Sequence, residues 1–184
     1  MITSIAFTAF RRRLLAAFCT SCFAAAVHAQ SPLADLIQAG DSRGALALLQ
    51  NGANVNTPQN DGTTPLHWAV YQVDETLVKE LLRREADPDT RNSFGSSPLS
   101  EAARLANVTL VEQLLDAGAN PKVTNADGQT PLMLAAWNGS VEIARALVAK
   151  GANVNDTEQW TGQTALMWAT SRNQGEQAQF LIAQ

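Results

Sequence analysis

Pro65, Pro98 and Pro131 stand 33 residues apart, and Gly62, Gly95 and Gly128 keep the same interval. A strict period of this length constrains the chain more than any other feature, because a catalytic motif needs to occur once whereas a structural module must be copied. The period runs backwards, since Pro32-Leu33 precedes Pro65-Leu66 by 33, and forwards with one inserted residue, since Gly128 and Gly162 are 34 apart. A second string keeps phase with the first: GANVN from Gly52, EADPD from Glu85, GANPK from Gly118 and GANVN from Gly151. DGTTPLHWAV from Asp61 and DGQTPLMLAA from Asp127 are therefore copies of a building unit, about five in all.

Each copy reads as helix, turn, helix, loop. In TPLHWA, Thr64 is suited to cap a helix N-terminus and Pro65 to its first turn, where the missing N–H costs nothing. Leu66, Ala69 and Val70 follow at helical spacing, and Ala102-Ala103 and Ala135-Ala136 at the equivalent places imply close neighbours on both sides. Asn138-Gly139 ends the fourth such helix; SVEIARALVAK then supplies a second apolar face before Gly151, placed for the left-handed conformation beyond a helix C-terminus. The polar segment from Ala152 to Gly162 suits a projecting hairpin or loop.

The copies resemble ankyrin repeats. DGTTPLHWAV, Leu81-Leu82, Leu114-Leu115 and GANVN match the family's elements over roughly residues 31 to 184. Ser100, Met133 and Met167 replace the family's histidine, Val73 and Glu85 replace glycines, and Ala165 replaces a proline. The resemblance implies an all-α solenoid of stacked helix-turn-helix units with projecting hairpin loops, held by contacts between adjacent units rather than by one globular core. The units fall at approximately 31–59, 60–92, 93–125, 126–159 and 160–184, within a domain of residues 30–184.

The first 29 residues differ in character. Arg11-Arg12-Arg13 precedes LLAAFCTSCFAAAV, an apolar run of 14 residues, and Val27-His28-Ala29 places small residues where a signal peptidase requires them. A cleaved signal peptide over residues 1–29 is the expectation; the run is too short to span a bilayer comfortably, and no membrane insertion is expected after cleavage. The arginines also partly match a twin-arginine export signal. Cleavage would remove Cys19, Cys22 and His28, leaving His67 alone and no thiol, and would shift the net charge from −4 to −7. Nucleic acid and anionic membrane surfaces suit such a chain poorly as partners. Export to the periplasm, or otherwise secretion, follows. At the other end Gln177 stands where Ile143 sits one unit earlier; either this is a polar replacement of the kind expected in a terminal cap whose outer face meets water, or the chain is a piece of a longer array.

With one histidine and no cysteine after residue 29, a Cys-His pair and a histidine metal cluster are both excluded. The resemblance gives His67 the role of tying helix to loop, and Asp61 and Asp127 beside turn glycines read as turn formers. No catalytic residue, metal or cofactor is expected. Asn107, Asn138 and Asn155 begin Asn-x-Ser/Thr triplets, but all three fall at turns or loops that favour asparagine.

Function should lie in what varies between units. Proteins of the resembled family bind through the concave side, using residues that flank the turn glycine and end the first helix. Carried over by position, that surface includes Tyr71, Phe94, Arg104, Trp137, Asn138, Trp160 and Arg172. Four of the seven aromatics after residue 29 fall on it, which exceeds what packing requires, whereas Trp68 and Trp168 are expected to wedge between units. Exposed aromatics beside arginine are the usual material of interface hot spots. The expected function is a monomeric, non-catalytic scaffold that binds a partner protein. The alternative is a glycan-binding envelope protein, its aromatic faces stacking on sugar rings; a broad, shallow surface makes it the weaker fit.

Overall fold

The computed structural model describes residues 31–184. The leader expected over residues 1–29 lies outside the described residues. Those that are described form ten helices in five consecutive pairs: α1 (Pro32–Gln38) with α2 (Ser42–Gln50), α3 (Pro65–Tyr71) with α4 (Glu75–Arg83), α5 (Pro98–Arg104) with α6 (Val108–Asp116), α7 (Pro131–Asn138) with α8 (Val141–Ala149), and α9 (Ala165–Ser171) with α10 (Gly175–Ile182). No strand occurs among them. First helices pack on first helices along the stack, α1 on α3, α3 on α5, α5 on α7 and α7 on α9, while α4, α6, α8 and α10 form a second layer.

Local chemistry sets the helix bounds. Ser97 and Thr130 cap α5 and α7 by accepting the N–H of Ser100 at 3.2 Å and of Met133 at 3.3 Å, and proline takes the first position of α1, α3, α5 and α7. Gly139 ends α7 at φ 74°. Val73, Glu85, Ala106 and Asn173 hold the left-handed conformation in place of glycine, at φ between 56° and 63°. Val73, Glu85 and Ala106 each carry a strain of about 1–2 kcal/mol that glycine would avoid, most plainly the β-branched Val73, whereas asparagine tolerates this region well. The phase of the repeat survives because the neighbouring turns dictate the backbone there.

The GANVN string also has a physical basis. Its third residue closes a turn by accepting the N–H two residues on: Asn54 from Asn56 at 2.8 Å, Asp87 from Asp89 at 2.9 Å, Asn120 from Lys122 at 3.0 Å and Asn153 from Asn155 at 3.1 Å. Its last residue reaches the next unit. Asn56 accepts from Asp87 N–H and Asp89 from Asn120 N–H, both at 2.8 Å. Lys122, an obligate donor, interrupts this ladder at the following junction.

The core is continuous along the stack. Leu66, Leu99 and Leu132 of the first layer are fully buried, as are Leu81, Leu114 and Leu147 of the second. Ala69, Ala102, Ala103, Ala135 and Ala136 are also fully buried, so short side chains let the first-layer helices approach closely. Each fully buried leucine contributes about 1.5–3 kcal/mol.

Gln177 corrects the expectation of a water-facing cap. Its side chain is 1% exposed, and neither amide atom has a hydrogen-bond partner among the described residues. The position points into the seam with the preceding pair, where Ile143 is fully buried one unit earlier. Gln177→Ile is expected to raise the unfolding free energy by about 1–3 kcal/mol, the desolvation cost of the orphaned amide. Urea denaturation of both proteins checks this; an unchanged midpoint would show that the amide is satisfied.

Candidate interaction surface

The loops between helix pairs present the surface, and a side-chain oxygen that accepts backbone N–H groups shapes each tip. Asn92 Oδ1 accepts the N–H groups of Phe94 at 3.1 Å and Ser96 at 3.0 Å; Asn125 Oδ1 accepts those of Asp127 at 3.0 Å and Gln129 at 2.9 Å. The loop before α9 is one residue longer, and a longer acceptor spans it. The Glu158 carboxylate accepts from Trp160 N–H at 2.6 Å, Thr161 N–H at 3.0 Å and Gln163 N–H at 2.9 Å, and also from the Thr161 hydroxyl. The Thr161 hydroxyl and then these backbone donors hold its pKa down to about 2. Glu158 is thus a buried carboxylate committed to holding a loop.

Adjacent tips are stitched together. Asp61 C=O accepts from Ser93 N–H at 2.7 Å, and Asp127 C=O accepts from Gln159 N–H at 3.1 Å. Phe94 and Trp160 project from this row, 71% and 79% exposed. The Trp160 indole N–H donates to Asp127 at 3.1 Å, which fixes the ring edge and leaves its faces in water.

Three of the seven sequence-predicted residues meet in one groove. Tyr71, Phe94 and Arg104, from α3, the following loop and α5, line a concavity of about 440 Å³ together with Asp61, His67, Trp68 and Glu101. Trp68 and Tyr71 meet edge to face at 5.7 Å between ring centroids. Glu101 holds the Arg104 guanidinium through both its Nε, at 3.0 Å, and Nη2. Trp68 was expected to be wedged between units; it is half-buried, packed on the core and also a groove wall. Its spacing of three from Tyr71 on one helix was the available signal.

Trp137 and Arg172 form a separate cluster. The Arg172 guanidinium lies 4.1 Å over the Trp137 ring, and Trp137 meets Trp168 edge to face at 5.6 Å. Asn138 is exposed but already engaged: its amide donates to Ala103 C=O at 3.2 Å and Arg104 C=O at 2.9 Å, closing the C-terminus of α5. Of the other two Asn-x-Ser/Thr asparagines, Asn107 caps α6 by accepting Leu110 N–H at 2.9 Å, and Asn155 N–H closes the turn on Asn153.

A family model described as "Ankyrin repeats (3 copies)" matches in three overlapping stretches, residues 16–92, 33–125 and 99–184. The chain belongs to the ankyrin-repeat family. The first match begins inside the segment read as a leader, among residues outside those described. A search of curated proteins finds no match.

The ankyrin histidine explains its own neighbourhood. Thr64 N–H donates to His67 Nδ1 at 3.2 Å, so Nδ1 is the bare nitrogen and Nε2–H donates to Ser96 C=O of the next unit at 3.0 Å. At the equivalent places Ser100 returns to Ser97 C=O at 2.8 Å, and Met133 accepts weakly from Thr130 N–H. Neither crosses to the next ankyrin unit. Burial is the main cause that pushes the His67 pKa below 6.5, partly countered by the Ser96 bond and by Glu101 and Asp61. The folded chain therefore keeps His67 neutral where the unfolded chain takes up a proton. The His67 share of stability is complete above about pH 6.5 and is lost as pH drops below it. His67→Gln is expected to flatten the slope of the urea midpoint between pH 5 and 7; an unaltered slope would assign it to other groups.

Proposed function

We propose that this ankyrin-repeat chain is a non-catalytic scaffold that binds a partner protein through its concave face, with Tyr71, Phe94, Trp137 and Trp160 as anchors. The observation that carries this is the exposure of large apolar rings on the loop row and at the ends of the first helices, Phe94 and Trp160 above all. Exposed aromatic rings with arginine close by are the usual material of interface hot spots. Arg104 and Arg172 sit beside the rings, and Asn138 contributes by holding the end of α5 rather than by a free amide. Ankyrin stacks are generally protein-interaction modules, which makes a protein the first choice of partner.

The working unit on this proposal is a monomer of about five repeats over residues 30–184, exported by a leader spanning residues 1–29 and active in the periplasm. With a net charge of −7 after cleavage it avoids nucleic acid. The test is affinity capture from an envelope extract by the wild-type chain and by Phe94→Ala/Trp160→Ala. Both rings are so exposed that their loss leaves the core intact. A protein retained by the first and lost by the second supports the scaffold; identical retention refutes the anchors.

A further inference from the structure

Among the described residues, two guanidinium-over-ring contacts occur: Arg172 over Trp137 at 4.1 Å and Arg145 over Phe180 at 4.8 Å. The chain thus covers two of its aromatic faces with its own arginines. Trp68, Tyr71 and Phe94, which line one groove, are treated differently. Arg104 stands at the same groove but is clamped by Glu101 through two nitrogens, so its charge is spent on that carboxylate. The remaining charge in the groove is Asp61. Its Oδ1 accepts from Thr63 N–H at 2.9 Å, and it takes part in no ion pair among the described residues. His67 on the same wall is held neutral and adds no positive charge.

We propose that the groove lined by Trp68, Tyr71, Phe94 and Asp61 takes an arginine side chain of the partner protein. Aromatic faces attract a cation through their quadrupole, and a guanidinium is flat enough to lie on a ring while its fork reaches a carboxylate. The concavity of about 440 Å³ accommodates one long side chain. The surplus of acidic residues over basic ones favours approach of a basic segment. The assignment rests on the concave-face scaffold proposed above and deepens it by naming the chemistry of the anchor point.

The test is an NMR titration of the ¹⁵N-labelled full chain, following the tryptophan indole N–H signals, with N-acetyl-arginine methylamide and its neutral isostere N-acetyl-citrulline methylamide. The Trp68 signal is expected to shift saturably with the arginine probe, with an affinity about fivefold or more above that for citrulline. Asp61→Asn keeps the turn acceptor that Asn92 and Asn125 use in their own loops, and is expected to weaken the arginine probe several-fold. Asp116→Asn on α6 removes the same charge elsewhere and is expected to leave it unchanged. Equal affinities for the two probes overturn the assignment, as does a Trp160 signal that moves in step with Trp68, which marks diffuse charge attraction. If Trp68 ignores the arginine probe while an extract protein is still captured through Phe94, the arginine assignment falls and the scaffold stands. If Trp68 selects arginine while capture is indifferent to Phe94 and Trp160, the groove stands and the scaffold's anchors fall.

Discussion

Gly95→Ala is expected to lower the melting temperature by about 5–10 °C. Two costs combine at this residue. Its φ of 71° lies in the left-handed region, where a side chain costs about 1–2 kcal/mol. A Cβ added there would also stand 2.6 Å from Ala126 N and 3.1 Å from Asn125 C, which are backbone atoms of the next loop with no rotamer to escape through. The loops must part, so the total reaches about 2–3 kcal/mol, and a domain of this size loses roughly 2–4 °C per kcal/mol. Gly118 provides the control: its φ is 91° but nothing lies within 4 Å of its added Cβ. Gly118→Ala is expected to lose only the backbone share, about 1–2 kcal/mol. Thermal denaturation followed by circular dichroism separates the two, and equal losses would show that the loop stack does not bear on Gly95.

The second large effect concerns binding. Phe94→Ala, Trp137→Ala and Trp160→Ala together are expected to weaken the captured partner at least about 100-fold, since hot-spot rings cost about 2 kcal/mol or more each and their effects do not add simply. Trp137 differs from the other two because its loss also strips Trp168 of its edge-to-face neighbour and Arg172 of its ring. The Phe94 and Trp160 pair therefore reports binding free of that rearrangement. Isothermal titration against the isolated partner measures both variants.

What was legible in the sequence follows from how local each interaction is. Thr64, Ser97 and Thr130 cap helices that start at the next residue, and Gly139 ends a helix that its own φ terminates, so a window of a few residues contains the cause. The fixed period did the rest, because a unit that cannot bury its own apolar face must stack on a copy. The candidate surface was legible only as positions. That Tyr71, Phe94 and Arg104 share a groove while Trp137 and Arg172 form another cluster depends on side chains meeting across units some thirty residues apart. The same holds for Asn138, whose amide is spent on carbonyls 34 and 35 residues away. Glu158 was overlooked because a carboxylate in a loop reads as solvated; its role appears only when the inserted residue is matched to the longer reach of glutamate over asparagine. Gln177 misled for a related reason: the last unit looks as if it should turn a polar face to water, yet this residue lies on the inner side of α10.

On the proposed reading, function resides in the concave-face residues that differ between units, not in the framework they share. The measurement that tests it most directly is the affinity of the captured partner for two triple variants that both fold. One is Phe94→Ala/Trp137→Ala/Trp160→Ala; the other is Lys79→Ala/Glu112→Ala/Glu142→Ala, exposed positions on the outer helices α4, α6 and α8. A loss of at least about 100-fold for the first, against less than about twofold for the second, is the predicted result. A first variant that binds like wild type, or a second that loses more than the first, would contradict it.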